Sequence, residues 1–153
     1  STRKESSAAS DVYKRQLIVG ILDLETGILK LCNAGHNPPI LIYPDGQVSY
    51  LEFKTQIFVG VVEDFKYSDE EVVLEKESKL FLYTDGVTEA ENINKELYGE
   101  EKLLEMLSDN ASSDVRTTVN VVVDSIASHV KEAEASDDLT ILLIQYEPGT
   151  ANS

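Results

Sequence analysis

The chain has 153 residues and a formal net charge of −15, from 28 acidic and 13 basic side chains. This charge disfavours nucleic-acid binding, because the phosphates would be repelled. The sequence has no apolar run of membrane-spanning length and no signal-peptide pattern, so we expect a cytoplasmic protein without direct membrane insertion. Cys32 is the single cysteine, which excludes an intramolecular disulfide and agrees with a reducing compartment.

The length suits one modest domain, and the two ends differ from the rest in composition. Residues 1–15 are mostly small or charged and lack hydrophobic periodicity. We interpret them as a disordered leader, or as a cloning or sequence-assembly scar. Residues 148–153 are predicted to be a disordered tail, which leaves residues 16–147 as the folded part.

The first half of this folded part predicts β-strands joined by tight turns. Apolar segments alternate with Gly, Pro and Asp clusters, the pattern of successive hairpins. The predicted strands are Leu17–Leu22, Ile28–Cys32, Ile40–Tyr43, Gln47–Leu51, Phe58–Val62, Glu71–Leu74 and Lys79–Thr84.

The second half predicts helices followed by one returning strand. A short helix is expected at Val87–Asn92, an amphipathic helix at Glu100–Leu107, and a longer one from about Asp114 to Lys131, capped by Ser112 or Ser113. The last strand, Leu139–Tyr146, is apolar and β-branched, so it is predicted to be buried on both faces. This order of elements indicates an α+β fold, with an antiparallel β-sandwich flanked by helices.

Two acidic residues stand next to apolar strands and are the first candidates for chemistry. Asp85 follows Leu80–Thr84 and precedes Gly86, whose lack of a side chain leaves room for a ligand. Asp137 precedes the last strand, so the two carboxylates could meet and hold a cation. Oxygen ligands without paired His or Cys favour Mg²⁺ or Mn²⁺ over zinc. The alternatives are a helix cap for Asp85 and a turn or cap for Asp137 and Asp138.

The two histidines are weaker candidates. His36 lies in a loop between Gly35 and Asn37, where a structural hydrogen bond and a position at the rim of a site are equally plausible. His129 is expected on the surface near the end of the long helix, where it could compensate the helix dipole. No Ser-His or Cys-His nucleophile pattern accompanies either residue.

Three motifs together resemble one family. They are Asn33-Ala34-Gly35-His36-Asn37-Pro38-Pro39, Leu82-Tyr83-Thr84-Asp85-Gly86-Val87-Thr88-Glu89-Ala90 and Asp137-Asp138-Leu139-Thr140-Ile141. Their order and spacing are similar to those of the SpoIIE-like branch of the PPM metal-dependent serine/threonine phosphatases. This resemblance implies two packed antiparallel sheets flanked by helices, with residues 16–147 as the C-terminal part of the domain.

The resemblance also implies roles for individual residues. Asp85 and Asp137 match metal-ligating aspartates, while Gly86, Asp138 and His36 are expected to shape the site. The implied cofactor is a binuclear Mn²⁺ or Mg²⁺ centre that activates water for attack on phosphoserine or phosphothreonine, without a protein nucleophile. The family's further metal ligands in its N-terminal half have no counterpart here. We therefore expect an incomplete domain, with weak metal affinity and little activity in this chain alone.

The implied partner is a phosphorylated anti-anti-sigma protein of the STAS type, in a partner-switching pathway. An upstream sensor or receiver domain is expected in the parent protein, and exposed sheet edges could favour a homodimer. One alternative is a non-catalytic domain that binds a regulatory partner. A further alternative is a metallohydrolase that acts on a small phosphoester.

Overall fold

A computed structural model describes residues 16–53, 63, 64, 66, 69–134 and 138–149 of the chain. The predicted leader, the predicted strand Phe58–Val62 and Asp137 lie outside these residues. The strands are β1 (Leu17–Leu22), β2 (Ile28–Ala34), β3 (Ile40–Ile42), β4 (Val48–Tyr50), β5 (Glu70–Val73), β6 (Lys79–Tyr83) and β7 (Ile141–Gln145). The helices are α1 (Asp85–Thr88), α2 (Glu100–Asp109) and α3 (Val115–Val130).

The chain divides into two compact units. The first comprises residues 1–38, 52–74 and 148–153, and its described part is a three-stranded antiparallel sheet in the order β1-β2-β5. Gly27 ends the turn between β1 and β2 with φ 76°, a backbone conformation that glycine adopts without steric cost. In β2, Leu29 and Leu31 are buried and face the same side of the sheet.

The second unit comprises residues 39–51 and 75–147. It holds a four-stranded antiparallel sheet in the order β4-β3-β6-β7, together with all three helices of the described chain. Strand β6 lies inside this sheet, with Phe81 fully buried and paired to Ile40 of β3 and Leu143 of β7. Val122 of α3 and Leu103 of α2 belong to the same hydrophobic core. The α+β class with antiparallel sheets is therefore confirmed.

Strand β7 departs from its prediction. It is the last strand of the sheet, and its side chains alternate in exposure instead of being buried on both faces. Leu143 is buried, whereas Leu142 and Ile144 are 53% and 41% exposed. The apolar composition of this segment therefore did not report burial of both faces.

Two details of the helices also differ from expectation. Helix α1 ends at Thr88 instead of reaching Asn92, because residues 91–97 form a separate turn. Helix α3 is capped by Asp114, not by Ser112 or Ser113: the Asp114 carboxylate accepts a hydrogen bond of 2.6 Å from the backbone N–H of Thr117. An aspartate in this position satisfies a donor that the first helical turn leaves free.

Candidate functional site

Asp85 lies where the buried strand β6 ends and helix α1 begins. Thr84 occupies the N-cap position in an extended conformation, and Asp85 is the first helical residue. The Asp85 side chain is half-buried and accepts no hydrogen bond within the part of the chain that the structure describes. It therefore does not cap the helix, which was the alternative reading of this residue, and its carboxylate oxygens are available to a ligand.

The Thr-Asp-Gly motif meets the Asp-Asp-Leu-Thr motif through the side chain and backbone of Thr84. The Thr84 N–H donates to the Thr140 carbonyl at 3.1 Å, and the Thr140 N–H donates to Thr84 Oγ1 at the same distance. The Thr84 hydroxyl in turn donates to the Asp138 carbonyl at 3.5 Å. Residues far apart in sequence are thus joined directly beside Asp85.

Gly86 completes this junction by the absence of a side chain. A Cβ atom at Gly86 would lie 2.2 Å from the carbonyl oxygen of Asp138 and 3.0 Å from its carbonyl carbon. No real Cβ atom approaches a backbone oxygen so closely, so only glycine permits this contact. Gly86 therefore allows the backbone of Asp138 to approach closely. The space that was expected to accommodate a ligand is filled by that backbone.

The electrostatic environment beside Asp85 excludes one neighbouring group from proton transfer. Burial raises the pKa of the Tyr83 hydroxyl far above its usual range, and Tyr50, Glu100 and the Asp85 carboxylate raise it further. The Tyr83 phenol therefore stays neutral at physiological pH. No described residue forms an ion pair with the Asp85 carboxylate, so its oxygens are not already engaged by a protein cation.

His36 belongs to the first unit, in a loop that Asn33 holds from both sides. The buried Asn33 amide donates to the His36 carbonyl at 2.9 Å, and its oxygen accepts from the His36 N–H at 2.8 Å. His36 Nδ1 lies 2.9 Å from the Asn37 carbonyl. Because a carbonyl only accepts, Nδ1 is the donor in this hydrogen bond.

The carboxylate oxygens of the candidate site are the ligand type that a hard divalent cation prefers, but the described residues supply too few of them. Asp85 offers oxygen ligands, as Mg²⁺ and Mn²⁺ prefer. Within the described ranges, however, no group of three or more His, Cys, Asp or Glu side chains could hold a metal ion. Asp137 lies outside these ranges, and Asp138, whose side chain is exposed, is held at its backbone carbonyl. The metal role of Asp85 and Asp137 stays a prediction.

Sequence reasoning missed two contributors. Thr84 makes the three hydrogen bonds of the junction given above, and its adjacency to Asp85 was the signal that could have indicated it. His129 does more than lie on the surface, because its Nε2 is 2.8 Å from the Glu96 carbonyl and its ring packs edge-on against Tyr98. It therefore ties the end of α3 to the turn that follows α1.

Comparison with known structures defines the fold. The structure of the RsbU and RsbW domains of Rv1364c from Mycobacterium tuberculosis matches with a TM-score of 0.72 and 22% sequence identity, over 96% of this chain and 40% of that one. Other matches include phosphatase domains described as PP2C and SpoIIE. The fold is that of PPM-type phosphatase domains.

The family follows from the sequence. The chain belongs to the family of Stage II sporulation protein E (SpoIIE), whose model matches residues 13–147, including the last three residues of the predicted leader. Protein IcfG of Synechocystis sp. (strain ATCC 27184 / PCC 6803 / Kazusa) is 27% identical over 128 residues, which are 84% of this chain. Phosphoserine phosphatase RsbP of Bacillus subtilis (strain 168) is 28% identical over 127 residues, or 82% of this chain. The chain spans 20% and 29% of the length of these relatives.

Among the described helices, none has the length and apolar composition that a membrane crossing requires.

Proposed function

We propose that the protein containing this chain is a divalent-metal-dependent phosphatase that hydrolyses phosphoserine or phosphothreonine on a regulatory protein. The observation that carries the proposal is the junction of Thr84 and Gly86, the two neighbours of Asp85, with Asp138 and Thr140 of the second acidic motif. Membership in the SpoIIE family and the likeness to solved phosphatase domains support it.

In this proposal Asp85 and Asp137 are metal ligands, and the rest of the junction positions them. When bound, Mg²⁺ or Mn²⁺ would supply Lewis-acid activation of water and neutralise charge on the phosphoryl oxygens. A matched SpoIIE phosphatase domain was presoaked with manganese, and a matched structure of RsbX contains magnesium. These precedents support a divalent cation as the cofactor. The remaining ligands would come from parts of the protein that the structure does not describe.

The net reaction requires no protein nucleophile. A water oxygen forms a new bond to phosphorus while the bond from phosphorus to the serine oxygen breaks, and the proton lost by water ends on the products. Thr84 and Gly86 contribute by fixing the position of Asp85, because catalysis depends on preorganised ligands.

The proposed substrate is a serine-phosphorylated anti-anti-sigma protein of the STAS type, in a cytoplasmic partner-switching pathway. Two comparisons support this: the relative RsbP is named a phosphoserine phosphatase, and the first matched structure combines RsbU with RsbW domains. An upstream sensor or receiver domain belongs to the same proposal, since the relatives extend well beyond this chain. So does homodimer formation, which the exposed Leu142 and Ile144 of the edge strand β7 would favour.

Replacement of Asp85 by Asn in the full-length protein tests the proposed function. Asn keeps the size of the side chain and removes its charge, so metal-dependent hydrolysis of p-nitrophenyl phosphate should fall by at least about 100-fold. Asp124→Asn is the matched control, because Asp124 is an exposed aspartate on α3 and its replacement should leave activity unchanged. Full activity of the Asp85→Asn variant at saturating Mn²⁺ and at limiting Mn²⁺ would contradict the assignment.

The second candidate is a non-catalytic domain that binds a regulatory partner. The shortage of metal ligands in the described ranges favours it for this chain on its own. The two candidates differ in one measurement: a full-length protein that binds the phosphorylated STAS protein but releases no phosphate at any Mn²⁺ concentration is a binding module.

A further inference from the structure

A hairpin that starts beside Asp85 forms one wall of an unassigned groove. After α1 the chain forms a loop that two backbone hydrogen bonds close. The Gly99 N–H donates to the Thr88 carbonyl at 3.0 Å, and the Tyr98 N–H donates to the Ala90 carbonyl at 2.8 Å. Glu91 and Leu97 pair across it as an antiparallel bridge. We call residues Glu91–Leu97 the 91–97 hairpin. The segment that leads into this hairpin leaves α1 at Thr88, three residues after Asp85 and about 4.5 Å further along the helix axis.

The 91–97 hairpin is held rigidly. The Asn92 side-chain oxygen accepts from the backbone N–H groups of Asn94 and Glu96, at 2.9 and 3.0 Å. The Asn92 amide nitrogen donates to the Glu96 carboxylate at 2.7 Å. His129 of α3 holds the Glu96 carbonyl from the other side. A surface fixed by side chains in this way loses less conformational entropy when it binds a partner.

The groove lies between this hairpin and the C-terminal end of α3, with a volume of about 670 Å³. Its lining includes Asn92, Ile93, Lys102, His129 and Lys131. Ile93, at the tip of the hairpin, is 75% exposed. An apolar side chain so exposed on a rigid loop gains about 1.5–3 kcal/mol of burial energy when a partner covers it fully.

The groove is lined by more basic than acidic residues, whereas the chain as a whole is strongly acidic. The sequence has 28 acidic residues and 13 basic ones, yet two lysines and one glutamate, Glu132, line the groove. Neither Lys102 nor Lys131 forms an ion pair with any described residue; Lys102 lies over the Tyr98 ring, 5.2 Å from its centroid. Of the hairpin's own carboxylates, Glu91 pairs with Lys95 at 3.2 Å and Glu96 accepts from the Asn92 amide. Repulsion from charges beyond about 8 Å is screened at physiological salt, so the two lysines without an ion pair favour an anionic ligand.

Lys131 also occupies a backbone conformation that does not suit it. Its φ of 50° and ψ of −113° at the end of α3 lie where glycine is strongly preferred. A strained non-glycine residue of this kind points to a role for its side chain outside the fold.

We infer that the groove between the 91–97 hairpin and the end of α3 docks an acidic, apolar-anchored surface segment of the phosphoprotein substrate. The inference rests on the proposed function and extends it to recognition of the substrate. Its distance from the site is suitable: the hairpin tip is within about 17 Å of Thr88 at 3.3 Å per residue. A standard interface covers about 800 Å² on each partner, a patch of roughly 32 Å diameter, so one interface can include both Asp85 and the hairpin tip.

The test uses Lys131→Gly and Lys102→Gln, singly and together, and Ile93→Ser alone, in the full-length protein. Glycine at position 131 relieves the backbone strain, so this variant should melt no lower than the wild type. The probe is a serine-phosphorylated STAS-domain protein from the same organism. Its affinity is measured by isothermal titration calorimetry, and its hydrolysis is compared with that of p-nitrophenyl phosphate. Lys76→Gln, an exposed lysine in a turn without an ion pair, is the matched control.

The double variant should bind the phosphoprotein about tenfold more weakly, with a reduced dependence of affinity on salt, since exposed ion pairs each contribute up to about 1 kcal/mol. Hydrolysis of p-nitrophenyl phosphate should change less than about twofold. Unchanged affinity for the phosphoprotein overturns the inference, and so does an equal loss toward both substrates. A loss seen only with Ile93→Ser, independent of salt, overturns the acidic character of the partner. Lysine-dependent binding without hydrolysis of either substrate supports docking and refutes the catalytic proposal.

Discussion

The replacement of Gly86 by Ala gives the sharpest test of the junction beside Asp85. The new Cβ would lie 2.2 Å from the Asp138 carbonyl oxygen, and contacts below 3.0 Å are essentially never observed for a Cβ atom. The backbone of residues 138 and 139 must therefore retreat by at least about 0.8 Å, since the atoms that block the Cβ belong to the main chain and cannot rotate away. This movement strains the Thr84 hydrogen bonds to Asp138 and Thr140.

The expected loss of stability follows from these contacts. Overpacking of a close-packed site costs about 1–3 kcal/mol, and each weakened hydrogen bond adds up to about 1 kcal/mol. We therefore expect Gly86→Ala to lower the free energy of unfolding by about 2–4 kcal/mol. A displacement near 1 Å at the ligand positions should also lower metal-dependent turnover by about 100-fold in the full-length protein.

Urea denaturation at constant Mn²⁺, followed by circular dichroism, measures the first effect, and p-nitrophenyl phosphate hydrolysis measures the second. Gly149→Ala is the matched control, because a Cβ at Gly149 meets no atom within 4 Å. The reasoning is refuted if Gly86→Ala unfolds at the same urea concentration as Gly149→Ala. A crystal structure of the alanine variant with an unmoved Asp138 carbonyl would refute it equally.

Two further predictions concern the support of the fold around α3. Lys79 is buried and donates to the carbonyls of Ala111 and Ser113. Lys79→Met should therefore lower the free energy of unfolding, measured by urea titration, by about 2 kcal/mol. An unchanged urea midpoint would show that neither carbonyl needs this donor. The hydrogen bonds from Thr117 lower the pKa of Asp114 below its usual 3.8. Its stabilising effect is therefore present above pH 3.8 and is lost as the pH falls through the lower, folded-state pKa. Asp114→Asn should reduce the acid-induced decrease in melting temperature measured by calorimetry, and an identical decrease would assign it to other groups.

Strand positions were predictable because local chemistry determines them. The hairpin of β1 and β2 was marked by Gly27, and the segment Leu17–Leu22 was predicted with its observed bounds. The exposed face of β7 was not predictable, since Leu142 and Ile144 are as apolar as a buried strand requires. Their exposure follows from the position of β7 at the edge of its sheet, which depends on pairing with distant residues.

The region after Asp85 shows the same limit at shorter range. A helix through Asn92 was a reasonable prediction from composition, but the Asn92 side chain accepts from the backbone N–H groups of Asn94 and Glu96 and so stabilises a turn. Asparagine competes with helical hydrogen bonding in this way. The contact of His129 with Glu96 then joins α3 to that turn, and no local pattern indicates a partner 33 residues away.

The order Thr-Asp-Gly has a geometric reason that the motif itself does not reveal. Thr84 is bonded to Thr140, and Gly86 is in contact with the Asp138 carbonyl, so both neighbours of Asp85 are fixed to the same short segment. The backbone of Asp85 is thereby held on both sides, while its carboxylate stays free of hydrogen bonds within the described residues. A metal ligand needs this combination, because a loosely held carboxylate loses entropy on binding and a hydrogen-bonded one must first exchange its partner. The middle residue of the motif is therefore the one whose carboxylate is available to a ligand, and its two neighbours fix its position.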